Sequence, residues 1–252
     1  MYIKSLITSL LLCSGFVSVA QDKLEADRPG ESRTPELVKG NHLQVEAGVR
    51  KEKLADRINL YQHPTITARL GLFNAIELRV EAVSQTIRNN VIKQRINGLL
   101  PVEFGVKAKV LPEYKGFPSV GLLGQIGIPG SASQDYYNPR LPIEFRALFG
   151  NTLDKKWKLV YNAGVKWEGD NREARWMYSF SPVYQLSPKV NLFIEEYAFL
   201  GKSSAAEHYF DGGLDYYIGK NFMIDLSAGV GISENASPYF LAAGASFRLP
   251  VR

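Results

Sequence analysis

The side chains with chemical potential in this sequence are charged ones set singly between apolar ones. They are Arg69, Glu77, Arg79, Glu81, Glu103, Lys107, Lys109, Glu144, Arg146, Lys158, Lys166, Asp211, Asp215 and Asp225. Both signs are present and spread along the chain. Buried charges must be paired or wet, so such a set does one of two things. It lines a water-filled passage, or it closes an interior with a network of ion pairs. Other reactive types are sparse. Of the three histidines, only His208 has serines, Ser203 and Ser204, close in sequence. A hydrolase needs a nucleophile beside a base, and a loop histidine near loop serines says little without geometry. His63 and His208 lack the Cys or close His spacing of a metal site. Gly121, Gly124, Gly127 and Gly130 are followed by no Gly-Lys-Ser/Thr, so they make no phosphate loop. The expectation is no catalytic residue, no metal and no cofactor.

The elements that must position these charges are strands. Arg69 to Ala82 reads as two alternating runs joined at Phe73-Asn74-Ala75. Side chains alternate across a strand, so Ile76, Leu78, Val80 and Ala82 share one face, and Glu77, Arg79 and Glu81 share the other. A turn this short predicts an antiparallel hairpin. Similar runs of about ten residues follow one another from Leu43 to Phe247. They predict an all-β chain of about twelve strands, closed as one antiparallel transmembrane barrel over 41–252. Val190 to Leu200 is ambiguous, because Leu192 and Ile194 compete with Phe193, Tyr197 and Phe199 for the apolar side. The short connections fall at one end, near 73–75, 112–117, 151–156, 187–189 and 219–221. Mostly longer, polar ones fall at the other, at 50–63, 84–97, 129–139, 168–173, 201–206 and 234–238. That asymmetry matches short periplasmic turns and longer outer loops.

The aromatic residues sharpen the membrane reading. Trp157 and Trp167 share one parity and lie ten residues apart. At ~3.3 Å per residue and ~45° tilt they span roughly 23 Å, close to the ~25 Å band bounded by aromatic girdles. Trp176 and Tyr184 fall in phase on the next strand. The alternative is a soluble sandwich with large core residues, but its strands would be shorter. The charged face would then line the lumen: Arg69, Arg79, Lys107, Lys158, Arg146 and Lys166 on the positive side, Glu77, Glu81, Glu103, Asp215 and Asp225 on the negative.

The chain starts with one Lys and a long apolar run, with Ser18 and Ala20 before Gln21. Residues 1–20 read as a secretory signal peptide, directing export to the outer membrane of a Gram-negative-type bacterium. Beyond it 29 basic side chains stand against 25 acidic ones, and the only cysteine, Cys13, lies within it. The interleaved charges carry no nucleic-acid signature. Expected partners are outer-membrane lipid and lipopolysaccharide, the barrel-assembly machinery and a small-molecule solute. Residues 21–40 are polar, carry Pro29, Gly30 and Pro35, and have no period. They read as an extended periplasmic segment able to plug the lumen, or as a disordered lead-in.

Asp27-Arg28-Pro29-Gly30, Val38-Lys39-Gly40 with Leu43 to Gly48, the turn Gly71 to Arg79, and Asp211 to Tyr217 with Asn221 to Gly229 together resemble one family. It is the outer-membrane barrel family labelled putative MetA-pathway of phenol degradation, whose members are usually called transporters. The resemblance implies a passive channel for small, hydrophobic or aromatic compounds. A non-conducting structural or binding barrel is the alternative, and a lipid hydrolase a further one. The sequence departs from barrels that finish on an aromatic, since Phe247 is followed by Arg248-Leu249-Pro250-Val251-Arg252.

Overall fold

The computed structural model describes residues 23–251; the signal-peptide reading falls outside them. The described strands are β1 (His42–Ala55), β2 (Ile58–Leu72), β3 (Ile76–Asn89), β4 (Gln94–Leu99), β5 (Val102–Leu111), β6 (Ser119–Ile128) and β7 (Ile143–Thr152). They continue with β8 (Trp157–Trp167), β9 (Arg175–Ser187), β10 (Val190–Gly201), β11 (Glu207–Tyr217), β12 (Phe222–Gly231) and β13 (Tyr239–Pro250). All pair antiparallel with neighbours, and β1 closes on β13. β4 and β5 both pair with β3, β4 with its outer end and β5 with its inner end. They are one barrel position interrupted at Leu100-Pro101, since proline gives no N–H to a ladder. The sheet is therefore a closed antiparallel barrel of twelve strands, as the alternation predicted.

Its polarity is inverted relative to a soluble protein. Leu78 is 41% exposed and Phe104 47%, while Arg69, Glu77 and Lys107 are each 0% exposed. Over the halves of the strands nearest the short turns, apolar side chains point out and charged ones in. The turn at Phe73-Asn74 is tight because both residues take positive φ, 53° and 55°, as two-residue hairpin tips require.

Three expectations are corrected. Residues 50–63 and 84–97 are not loops: β1–β2 and β3–β4 continue as paired hairpins, with tips of only residues 56–57 and 90–93. The bulge at His63-Pro64 broke the sequence period there, which hid the continuing strand. The last strand does not stop at Phe247 but runs to Pro250, which pairs with His42. In β10 the contest is settled by packing: Leu192 and Ile194 face out, and Phe193 and Tyr197 are buried inside.

Candidate functional site: the barrel interior

Residues 23–41 run through the interior. The backbone N–H of Leu24 donates to the Lys220 carbonyl at 2.9 Å, at the short-turn end. The segment then rises to Arg33, whose N–H donates to Asn162 Oδ1 at 2.7 Å while Asn162 Nδ2 donates to the Arg33 carbonyl at 2.9 Å. It returns to the same end, where Gly40 N–H donates to Asn74 Oδ1 at 2.8 Å. Three wall carboxylates accept from its backbone. Glu46 takes the Asp27 N–H (3.1 Å), Glu195 takes those of Glu31 and Ser32 (2.6 and 2.7 Å), and Glu77 takes that of Val38 (3.0 Å). A segment without secondary structure must satisfy its backbone elsewhere when buried, and here the walls do it.

The side chains of the segment carry both signs and find opposite charges on the walls. Asp27 meets Arg79 at 2.7 Å and Lys107 at 3.0 Å, with Arg69 at 3.7 Å. Burial would raise the Asp27 carboxyl, but Arg69, Lys107, Arg79 and Arg33 outweigh it and hold the group well below the ordinary carboxylate range. Arg28 reaches across to Asp225 at 3.1 Å. It crosses Gly48 and Gly244, where any Cβ would collide with its guanidinium. Glu25 pairs with Lys158 and Glu36 with Lys109, and Glu31 with Arg146, at 2.8, 2.6 and 2.8 Å. Arg33 lies between Glu81 and Glu144, each at 3.8 Å, and donates to Gln125.

The sequence-identified residues therefore converge on one interior, with different fates. Arg69 is held by Glu77 and Glu46 (2.8 and 2.6 Å), and Glu103 by Lys166 at 3.7 Å. Asp215 faces Asp225 directly across β11–β12, and its Oδ1 has no hydrogen-bond partner among the described residues. Charge is uneven: β2 to β8 carry seven inward basic side chains with Glu77, Glu81, Glu103 and Glu144 among them, whereas β10 to β12 carry only acids, Glu195, Asp211, Asp215 and Asp225. Glu46 and Glu195 were not identified from sequence. Glu46 lies in phase with Gln44 on β1 and was legible there; Glu195 was hidden by the ambiguity of β10.

Above the segment, toward the long connections, the interior carries an aromatic cluster that sequence reasoning also missed. Tyr197 stacks on Tyr209 at 4.9 Å, Phe199 packs edge-on to both, and Arg50 lies 3.6 Å over the Phe240 ring. On the outer face, Trp157 packs on Tyr184 at 4.8 Å near the short-turn end. Trp176, opposite Val165 and 62% exposed, and Trp167 mark the other end. On β10 one outward position departs from the apolar pattern: Glu196, in line with Phe180 and Phe210, accepts from the Tyr178 hydroxyl at 2.9 Å, with His208 at 3.4 Å. His208 thus faces Glu196 and not Ser203, whose hydroxyl donates to Glu173.

A closed, inside-out barrel with short turns at one end is the architecture of outer-membrane β-barrels. The chain belongs to the family described as "Putative MetA-pathway of phenol degradation", which it matches over residues 26–249. Among solved structures it is similar to the COG4313 outer membrane channel from Pseudomonas putida F1, at 11% identity and TM-score 0.68, covering 89% of this chain and 100% of that one. It is also similar to the NanC porin (13%, 0.55, 82% and 100%) and to the CymD monoaromatic hydrocarbon channel (8%, 0.50, 86% and 90%). No curated protein matches it in sequence.

Proposed function

We infer that the protein is an outer-membrane channel for passive passage of small molecules, whose resting state is closed by residues 23–40. The observation that carries this reading is the threaded segment itself, held by ion pairs to both a basic and an acidic wall. A wall built only for stability needs no removable occupant. Leu24 anchors the start of the segment on Tyr217 and Met223, but between there and Gly40 most of its contacts are polar or ionic, and water and a solute can replace those one by one, which they could not do for an apolar core.

The aromatic cluster of Tyr197, Phe199, Tyr209 and Phe240 gives a ring-shaped solute a stacking surface on the way in. The charged walls beneath favour a solute that also hydrogen-bonds. Small hydroxylated aromatics combine both, and the family description and the monoaromatic hydrocarbon channel point the same way. The density of ion pairs favours a second reading, a non-conducting barrel in which the segment never leaves.

Single-channel recording in planar bilayers separates the two, using the full chain and a variant lacking residues 21–40. Discrete steps that appear or grow on deletion support the gate. Silence in both refutes conduction and leaves the scaffold reading.

A further inference from the structure

We propose that the outer end of the β1–β4 wall is a binding site for a phosphorylated, multiply acylated glycolipid, the lipid A part of lipopolysaccharide. The proposal rests on the outer-membrane reading and adds one site to it.

The paired extensions of β1, β2, β3 and β4 place side chains in rows. Lys53, Asn59, Arg88 and Arg95 are direct cross-strand neighbours, and the next row is Lys51, Tyr61, Thr86 and Asn97. Both rows face outward, because Lys53 and Lys51 pair across to Tyr239 and Leu241, which point to the exterior. Direct neighbours across a sheet have Cβ atoms ~5 Å apart, and like charges so placed repel. Yet Lys51, Arg88 and Arg95 have no acidic partner among the described residues. Arg88 lies instead over the Tyr61 ring at 5.3 Å. No Asp or Glu occurs between Glu81 and Glu103, and Arg57 and Lys93 add cations at the two hairpin tips, against the single Asp56. The outer connection on the far side of the barrel, residues 168–174, by contrast carries Glu168, Asp170 and Glu173 against Arg172 alone. Lys53 has only the exposed Asp56 at 3.8 Å, and a repulsive cluster so thinly partnered is one that an external anion stabilises.

The height of the cluster identifies that anion. Lys51 is nine residues beyond the start of β1, and Arg88 twelve beyond the start of β3. At ~3.3 Å per residue and ~45° tilt these lie roughly 21 and 28 Å above the short-turn rim, bracketing the top of a ~25 Å apolar band. That is where the headgroup phosphates of outer-leaflet lipid sit.

Beside the cluster, from Lys51 and Tyr61 across β13, β12 and β11, the exterior carries a groove of about 710 Å³, within the ~300–1,000 Å³ usual for a ligand site. Register explains it. Gly212 pairs with Ala228, and Leu226 pairs with Ala243, so small side chains floor the trough, while Leu214, Leu241 and Val49 wall it. Lys51 and His63 stand at its edge. An acyl chain can lie in the groove while its phosphate reaches Lys51, Arg88 and Arg95.

The test is native mass spectrometry of the folded, detergent-solubilised full chain, titrated with bisphosphorylated lipid A. A second arm uses dephosphorylated lipid A. The triple variant Lys51→Gln, Arg88→Gln, Arg95→Gln is expected to weaken binding about 100-fold, roughly fivefold per cation near a charged surface. Removing the phosphates should do the same to the unaltered chain. Ala228→Phe, which fills the groove from outside, should weaken binding without touching a charge. Equal binding by the triple variant, or of the dephosphorylated lipid, overturns the proposal, as does no binding by the unaltered chain. Integration into liposomes that resists urea extraction is scored in parallel. A barrel that integrates but ignores lipid A overturns this proposal alone, and one that does not integrate overturns the membrane reading beneath it.

Discussion

Asp27→Asn is the sharpest perturbation of the proposed gate. The Asp27 carboxylate is shared by Arg79 at 2.7 Å and Lys107 at 3.0 and 3.1 Å. Arg69 loses little, since Glu77 and Glu46 still hold it. Arg79 keeps only Glu81 at 3.9 Å, and its buried Nε already lacks a partner. Lys107 keeps Glu77 at 3.9 Å and two segment carbonyls. Removing one partner of a buried charge pair costs about 3–5 kcal/mol. The asparagine leaves both cations in the wall, and they are hydrated only if the segment leaves. The cost therefore falls on the docked state and shifts the equilibrium toward undocking, by about 100- to 3,000-fold at 1.4 kcal/mol per decade. Two readouts follow it. Open probability in planar bilayers should rise by orders of magnitude. A reporter Ser32→Cys, in a chain whose single native cysteine, Cys13, is replaced by serine, should become labelled by a polar maleimide. In a chain also lacking residues 21–40, Asp27 is gone and the effect has nothing to act on. A conductance and labelling rate unchanged by Asp27→Asn would refute the reasoning, because buried charges of this kind cannot lose a partner silently.

Arg28→Gln removes the tie to the acidic wall; at ~1.5–3 kcal/mol for a hydrogen bond to a charged group it should raise open probability about 10- to 100-fold in the same recordings. Acid should act through Asp27 in a definite direction. Its carboxyl is held below the ordinary value of 3.8, so its contribution to docking is complete above that value and is lost as pH falls below it. Ser32→Cys labelling should stay low at pH 5 and rise only in stronger acid; release already at pH 5 would mean another group controls docking. Val106→Arg puts a charge on the outward face of β5, opposite Leu78, and should cost ~2–4 kcal/mol of stability in lipid; urea unfolding in vesicles that shows no loss would place that face away from the acyl chains. Tyr197→Ala should slow phenol flux into liposomes more than that of an aliphatic solute of equal size, since it removes the stacking partner of Tyr209.

The barrel was legible because its rule is local. A period of two over β3, β5, β8 and β12 fixes which face is apolar, and no distant contact is needed to read it. Where the rule is broken locally, reading failed: the bulge at His63-Pro64 shifts the parity of β2. In β10, Phe193 and Tyr197 point inward although their chemistry suits the lipid face just as well. Identity alone does not place an aromatic residue, because in this fold both sides of the wall accept one. The partners of the charges were not legible either. Arg28 and Asp225, or Asp27 and Arg79, are far apart in sequence, and only the three-dimensional path of residues 23–41 joins them.

That path explains why two charged walls can coexist in one narrow interior. With the segment removed, the mixed, net basic wall of β2 to β8 would face the acidic side chains of β10 to β12 across water. Such a passage favours solutes that carry a dipole or hydrogen-bonding groups, and it gives no net preference to one sign of ion. With the segment in place, its Glu25, Asp27, Arg28, Glu31, Arg33 and Glu36 match each wall locally, and the same charges become a closed network. The two arrangements that inward charges permit, a wet lumen and a paired one, then become two positions of one segment. The energy separating them is electrostatic, so salt should narrow it. Raising ionic strength screens the half-exposed pairs near the short-turn end, such as Lys158 with Glu25, more than the buried Asp27 cluster. Opening should accordingly begin at Glu25 and Glu36, whose partners are the most exposed, and reach Asp27 last.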